Sequence, residues 1–223
     1  MRVFLFTLAG IPVLVADGIL LYSLPGPLSR ILSRDQIWML AGGTVAYLLV
    51  HLFLRKPERI YLWGHEFSHL VVAKLFFRKI HQFQISSRTG GKVVMDRTNV
   101  MIDLAPYTVP LYCITAALSA QILRHASPWV PDLYLVLVSF LYTMHLLFSA
   151  EGFAQAQPDL MRSGLVFSLG VILFFLLLWI PLLLAPGVEQ GWRGAAQVYR
   201  SWKLSGLAAG RAMVDFLRNL RFS

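Results

Sequence analysis

The chain predicts an all-α polytopic membrane protein with about six transmembrane helices, a small β-hairpin after the third and a C-terminal amphipathic helix. Three observations carry that prediction. Hydrophobic residues make up 57% of the 223 and charged residues only 14%, where a soluble domain carries about 25%. Mean hydropathy is +0.63, and the apolar residues fall into separate runs long enough to cross a hydrocarbon core of about 30 Å. One short stretch alternates with period two, and the end of the chain switches to a helical period with arginines on one side.

The first span runs from Val3 to Leu24. A signal peptide is the competing reading, but the run is long enough to span and has no small-residue cleavage site before Pro25, so a retained helix is expected. Asp17 within it reads as a packed polar contact. Pro25, Gly26 and Pro27 then mark a connector with Arg30 and Arg34 as head-group anchors. The second span, Ile37 to Leu54, ends at RKPER with an interfacial His51. The third, Tyr61 to Phe77, ends at Arg78 and Lys79, which can snorkel.

Between Phe83 and Met95, apolar Phe83, Ile85, Val93 and Met95 alternate with polar residues, and Thr89, Gly90, Gly91 and Lys92 read as the tight turn of a hairpin. The fourth span, Val100 to Leu123, carries Asp103, Pro106 and Pro110. Its prolines free carbonyls that neighbours or water must satisfy, which predicts a kink. The fifth, Pro131 to Ala150, holds His145, and the polar EGFAQAQPDLMRSG follows it. The sixth, Leu165 to Leu184, is uniformly apolar. From Val188 onward, Trp192, Ala196, Tyr199, Trp202, Met213, Val214, Leu217 and Leu220 share one helical face, and Arg193, Arg200, Arg211 and Arg218 share another. An interfacial helix is expected, with a partner-docking helix as the competitor.

A formal net charge of +9 does not point to nucleic acid, because the basic residues sit in loops and tail rather than in one patch with exposed aromatics. The bilayer and, at the tail, anionic lipid head groups are the expected partners. The single cysteine, Cys113, excludes an intrachain disulfide and reads as packing. Six spans place eleven basic residues on the side of the termini and eight on the other, which favours both termini in the cytoplasm of a bacterial membrane.

The third span carries the chemistry. His65, Glu66 and His69 stand in the order HExxH, and two histidines four apart on a helix face the same way and can share one metal, with the glutamate beside them as a base. The flanks, Ile60 to Trp63 and Leu70 to Phe77, are apolar, and ionisable groups inside such a run are costly enough to imply function. Zinc hydrolases need three protein ligands and an open position. Candidates for the third are Asp17, Asp103, His145, Glu151 and Asp159, of which Asp159 stands out because QPDL lies between two spans and can turn back into the bundle. A loop aspartate paired with Arg162 is its competing role. His65 lies about 9 Å along the helix from Arg59, so water must reach it by a polar channel, for which Ser68, His145, Gln155 and Gln157 are candidates. The alternative to a zinc enzyme is a metal-free scaffold or transporter with a buried His/Glu network.

With HEFSH at His65 to His69, a hairpin at Gly90 and Gly91, and Pro158, Asp159 and Leu160 two spans later, the chain resembles the site-2 protease family of intramembrane zinc metalloproteases, the M50 peptidases, over Leu62 to Gly164. The resemblance implies Zn2+ held by His65, His69 and Asp159, Glu66 as general base, and cleavage of a membrane-protein substrate such as a single-span regulator. With the change of character at Val188, the chain divides into a transmembrane metalloprotease domain at 1–187, with its core at about 60–185, and a basic amphipathic tail at 188–223. Leu160 replaces the family's glycine, and Glu151 stands eight residues before Asp159 where the family has asparagine. In a different kind of membrane zinc protease, with a glutamate as third ligand, Glu151 would take the role given to Asp159. The group that stabilises the developing oxyanion is unassigned, with Gln155 and Gln157 as possible substitutes.

Overall fold

The computed structural model describes residues 2–86 and 90–220. Helix α1 (Arg2–Ser23) runs on into α2 (Pro25–Ile31), so the first apolar span extends from Phe4 to Ile31. The connector expected at Pro25 to Pro27 is displaced, because a proline in the first turn of a helix gives up an N–H that has no partner there anyway. The break falls instead at Leu32 and Ser33. The Ser33 hydroxyl accepts from the Gln36 N–H and the Gln36 side chain accepts from the Ser33 N–H, a reciprocal cap that starts α3 (Arg34–Phe53).

Helix α4 (Glu58–Leu75) carries the HExxH residues. It ends in a Schellman turn, with the Arg78 N–H donating to Ala73 O, the Phe77 N–H to Lys74 O, and Phe77 left-handed at φ 57°. Strands β1 (Ile80–Ser86) and β2 (Gly90–Met95) pair antiparallel, Phe83 opposite Val93 and Ile85 opposite Gly91, with an irregularity between Ile80 and Gln82. Gly90, Gly91 and Lys92, expected in the turn, belong to β2. Thr89, the other expected turn residue, lies outside the described residues.

The fourth span is two helices, α5 (Val100–Thr108) and α6 (Leu111–Leu123), bent by 63°. Pro110 has no N–H to offer, and the carbonyls left over at the bend are taken up by neighbours. His145 Nε2 donates to Tyr107 O at 3.1 Å and Trp179 Nε1 to Thr108 O at 2.8 Å. Helix α7 (Val130–Ala154) runs one turn beyond the expected end at Ala150, and α8 (Pro158–Met161) is a single turn before α9 (Leu165–Leu184).

Small residues let the helices approach. Gly43 of α3 lies so close to α7 that a methyl there would overlap Ser139 and the Val136 carbonyl. A methyl on Gly10 of α1 would lie 2.8 Å from the Phe167 backbone of α9. Helix α4 packs on α5 and supports both strands. Cys113 is buried in a cluster with Tyr134 and Leu183.

Helix α10 (Gly191–Leu220) is continuous through Gly194, Gly206 and Gly210. Ala195, Val198 and Trp202 are buried near α1 and α9, where Trp202 Nε1 donates to Leu20 O and Tyr199 Oη to Leu178 O. Trp192 and Ala196, expected on the apolar face of an interfacial helix, are exposed. The outer half leaves Leu204, Leu207, Met213 and Val214 uncovered, and the side chains of Leu217 and Leu220 lie outside the described residues. Among the described residues four helical spans are long and apolar enough to cross a membrane, five if the bent pair counts as one span. The remaining expected span is α4, whose 18 residues include Glu58, Arg59, Glu66 and Lys74.

Candidate metal centre

His65 and His69 lie one turn apart on α4 with ring centroids 5.1 Å apart. Their third neighbour comes from the segment that follows α7. Helix α7 ends in a second Schellman turn, with the Gln157 N–H donating to Gly152 O, the Ala156 N–H to Phe153 O, and Ala156 left-handed at φ 48°. The chain therefore reverses within three residues, and Pro158 starts α8. Asp159, in the first turn of α8, reaches the histidines: its Oδ2 is 3.3 Å from His69 Nε2 and 3.9 Å from His65 Nε2.

One ligand atom from each of His65, His69 and Asp159 lies within 4.8 Å of the others. A tetrahedral ion bonded at about 2.0–2.1 Å holds its ligands about 3.3–3.4 Å apart. The donor set and its spacing therefore fit a zinc-sized ion with small adjustment. His69 Nδ1 donates to Ile102 O at 2.8 Å, which fixes the tautomer that leaves Nε2 free to ligate. The His65 ring is held edge-on by Tyr61 and Tyr107, at 5.9 and 5.5 Å. Burial works against the Asp159 charge, but the two imidazoles beside it hold its carboxyl well below the usual carboxylate range.

Glu66 is buried at the same turn, with Gly91 of β2 directly against it. A Cβ at Gly91 would lie 2.2 Å from Glu66 Cγ and 2.5 Å from its carboxyl carbon, so any larger residue there would displace Glu66 or the strand. Two cavities meet at this point. One, of 480 Å³, is bounded by β2 from Gly91 to Met95 and by Arg162; the other, of 450 Å³, by Glu58, Glu151, Gln155 and Gln157. Both reach His65, Glu66 and Asp159.

The other expected site residues go elsewhere. Glu151, the rival ligand, pairs with Lys56 and lies 3.1 Å from His51 Nε2. Asp103 accepts from Thr98 Oγ1 at 2.5 Å and Arg162 Nη1 at 2.8 Å. Arg162 Nη1 is also 3.7 Å from Asp159 Oδ1, so Asp159 faces the arginine with one oxygen and the histidines with the other. Asp17 is buried in α1, its carboxylate without a hydrogen-bond partner among the described residues. Of the expected channel residues, Gln155 and Gln157 line the second cavity. Ser68 and His145 line a further, small cavity that also reaches His65, while Ser68 donates to Gly64 O at 2.7 Å and His145 to the Tyr107 carbonyl at the α5–α6 bend.

Three features escaped the sequence reading: the contact of Gly91 with Glu66, the Asp103–Arg162 link, and a hydrogen bond from Tyr107 Oη to Gln157 Oε1. Gly91 carried a signal, since a glycine inside a strand marks close backbone approach. The other two join residues 50 or more positions apart and left none.

Fold and site together define a membrane-embedded helical protein with a His–His–Asp cluster beside a buried glutamate. The profile of the Peptidase M50B-like family matches residues 38–181, and the chain belongs to that family of peptidases. No curated protein and no solved structure matches it.

Proposed function

We propose that this chain is an intramembrane zinc metalloprotease that hydrolyses a peptide bond in or near a transmembrane segment of another protein. The observation that carries the reading is the arrival of Asp159 at His65 and His69, next to Glu66, from a turn more than 80 residues away in the chain. Zn2+ on those three ligands supplies Lewis acidity, which acidifies water and polarises a carbonyl oxygen. Glu66 accepts the proton of the attacking water and passes it to the departing amine nitrogen. Its burial against Gly91 keeps the carboxylate in one place.

A transmembrane substrate presents carbonyls already bonded within its own helix and must unwind to be cut. Strand β2 borders the first cavity from Gly91 to Met95, and an extended segment laid along its edge would find partners for backbone groups that lipid leaves unpaired. Proline at Val94 should then lower cleavage with zinc content intact; normal turnover would refute the strand-addition step. The arginine-bearing outer half of α10 suits anionic head groups.

Two measurements test the function. Stoichiometric zinc in the purified protein, lost in His65→Ala, is expected; metal-free wild type would leave the scaffold or transporter reading. In the membrane proteome, a single-span protein should accumulate with Glu66→Gln and not with wild type. No difference between the two would count against a protease.

A further inference from the structure

Hydrolysis of an amide moves charge to a place that His65, Glu66, His69 and Asp159 do not all serve. As the water oxygen bonds to the carbonyl carbon, its proton goes to Glu66 and the C=O electron pair moves onto the carbonyl oxygen. When the C–N bond breaks, the pair returns to re-form C=O and the proton goes to the amine nitrogen. A donor fixed beside that oxygen stabilises the state between.

Most polar groups near the cluster are already committed. Arg162 is bonded to Asp103 and faces Asp159, Ser68 donates to Gly64 O, and His145 donates to Tyr107 O; Tyr61 Oη is buried without a hydrogen-bond partner, and Gln155 lines the cavity with no side-chain anchor among the described residues. Gln157 differs. It lines the cavity shared with His65, Glu66 and Asp159, and its Oε1 accepts the hydroxyl proton of Tyr107. Tyr107 is fully buried and edge-on to the His65 ring, so it is a fixed anchor. Gly152 makes room for the pair: a methyl there would lie 3.0 Å from Tyr107 Cε1 and 3.5 Å from Gln157 Cδ. With the amide oxygen held by Tyr107, the NH2 end is left for the cavity. Electrostatics favour the same orientation, because Glu58, Glu66, Glu151 and Asp159 all border that space and would repel an amide oxygen.

Resting on the protease reading, we propose that Gln157 is the catalytic donor to the scissile carbonyl oxygen and that Tyr107 is its positioning residue. The Gln157 amide, oriented from behind by Tyr107, donates a hydrogen bond that strengthens as the oxygen gains charge.

The test uses full-length, zinc-loaded protein in detergent and two probes, a Leu-Leu phosphinic peptide, whose tetrahedral anionic phosphorus imitates the state between, and the flat metal chelator leucine hydroxamate. Gln157→Leu keeps the bulk and removes the donor. It should weaken the phosphinic peptide by roughly 10- to 100-fold and leave zinc content and hydroxamate affinity within about twofold. Tyr107→Phe should weaken the phosphinic peptide in the wild-type background and have no further effect in Gln157→Leu, a non-additivity that a merely structural tyrosine would not produce. Unchanged phosphinic affinity in Gln157→Leu, or equal weakening of both probes, overturns the assignment and leaves the protease reading standing. Wild type without zinc overturns both.

Discussion

Replacing Gly91 by alanine is the sharpest perturbation of this centre, because it touches the base and none of the ligands. The added methyl carbon would stand 2.2 Å from Glu66 Cγ and 2.5 Å from its carboxyl carbon and Oε1, where ordinary van der Waals contact begins at 3.4 Å. Glu66 or the strand must therefore give by about 1 Å, and a displacement of that size at a reacting group costs on the order of 100-fold in rate. Stability should not fall in step, since alanine loses less backbone entropy than glycine in a strand, by about 0.5–1 kcal/mol. The assay is cleavage of the protein that accumulates with Glu66→Gln, read with zinc content and thermal stability on the same preparation. Expected is a loss of turnover on the order of 100-fold with metal retained. Wild-type turnover, or loss of metal with the activity, would refute the argument.

Asp159→Asn should lower zinc occupancy by more than the roughly 10- to 100-fold typical of an outer hydrogen-bond partner, while Glu151→Gln leaves zinc in place. Metal analysis of the two variants at limiting free zinc decides between them. Glu151→Gln should also cost only about 0–1 kcal/mol in stability, since its ion pair with Lys56 is partly exposed, and denaturation with matched controls checks this. Ala156→Gly should stabilise the fold by about 1 kcal/mol, because Ala156 sits at φ 48°, where a Cβ is penalised; a lower midpoint would contradict that account. Neutralising Arg211 and Arg218 together should reduce the anionic lipid that co-purifies with the protein, measured by lipid mass spectrometry, and unchanged retention would contradict the lipid role.

Much of this arrangement was legible in the chain because its signals are local. Apolar runs set the spans, Pro110 set the bend, alternation between Phe83 and Met95 set the hairpin, and the spacing of His65 and His69 set one helical face. Errors fell where a local signal has two meanings. Pro25 reads as a breaker but opens a helix, Gly90 and Gly91 read as a turn but lie in a strand, and the Ala150 boundary ignored a polar last turn that stays helical. Contacts set by tertiary approach were out of reach. Nothing near Tyr107 names Gln157, and nothing near Asp103 names Arg162, since each pair meets only after α5, α7 and α8 have packed. Along α10 the periodicity identified an amphipathic helix, but which residues pack on α1 and α9, among them Ala195 and Val198, is set by tertiary approach.

Helix α7 is tied at two points: His145 is bonded to the α5–α6 bend, and the turn after Ala154 delivers Asp159. Between them the helix is a ruler. Removing one residue from that interval turns everything beyond it by about 100° and draws it back about 1.5 Å, swinging Asp159 away from both histidines. Gly152 must stay small beside Tyr107 and Gln157, but lipid-facing positions of the segment can vary while the number of residues cannot. Length is what the segment contributes to the placement of Asp159, and a chain that has gained or lost a residue there would keep its motifs and have no third ligand.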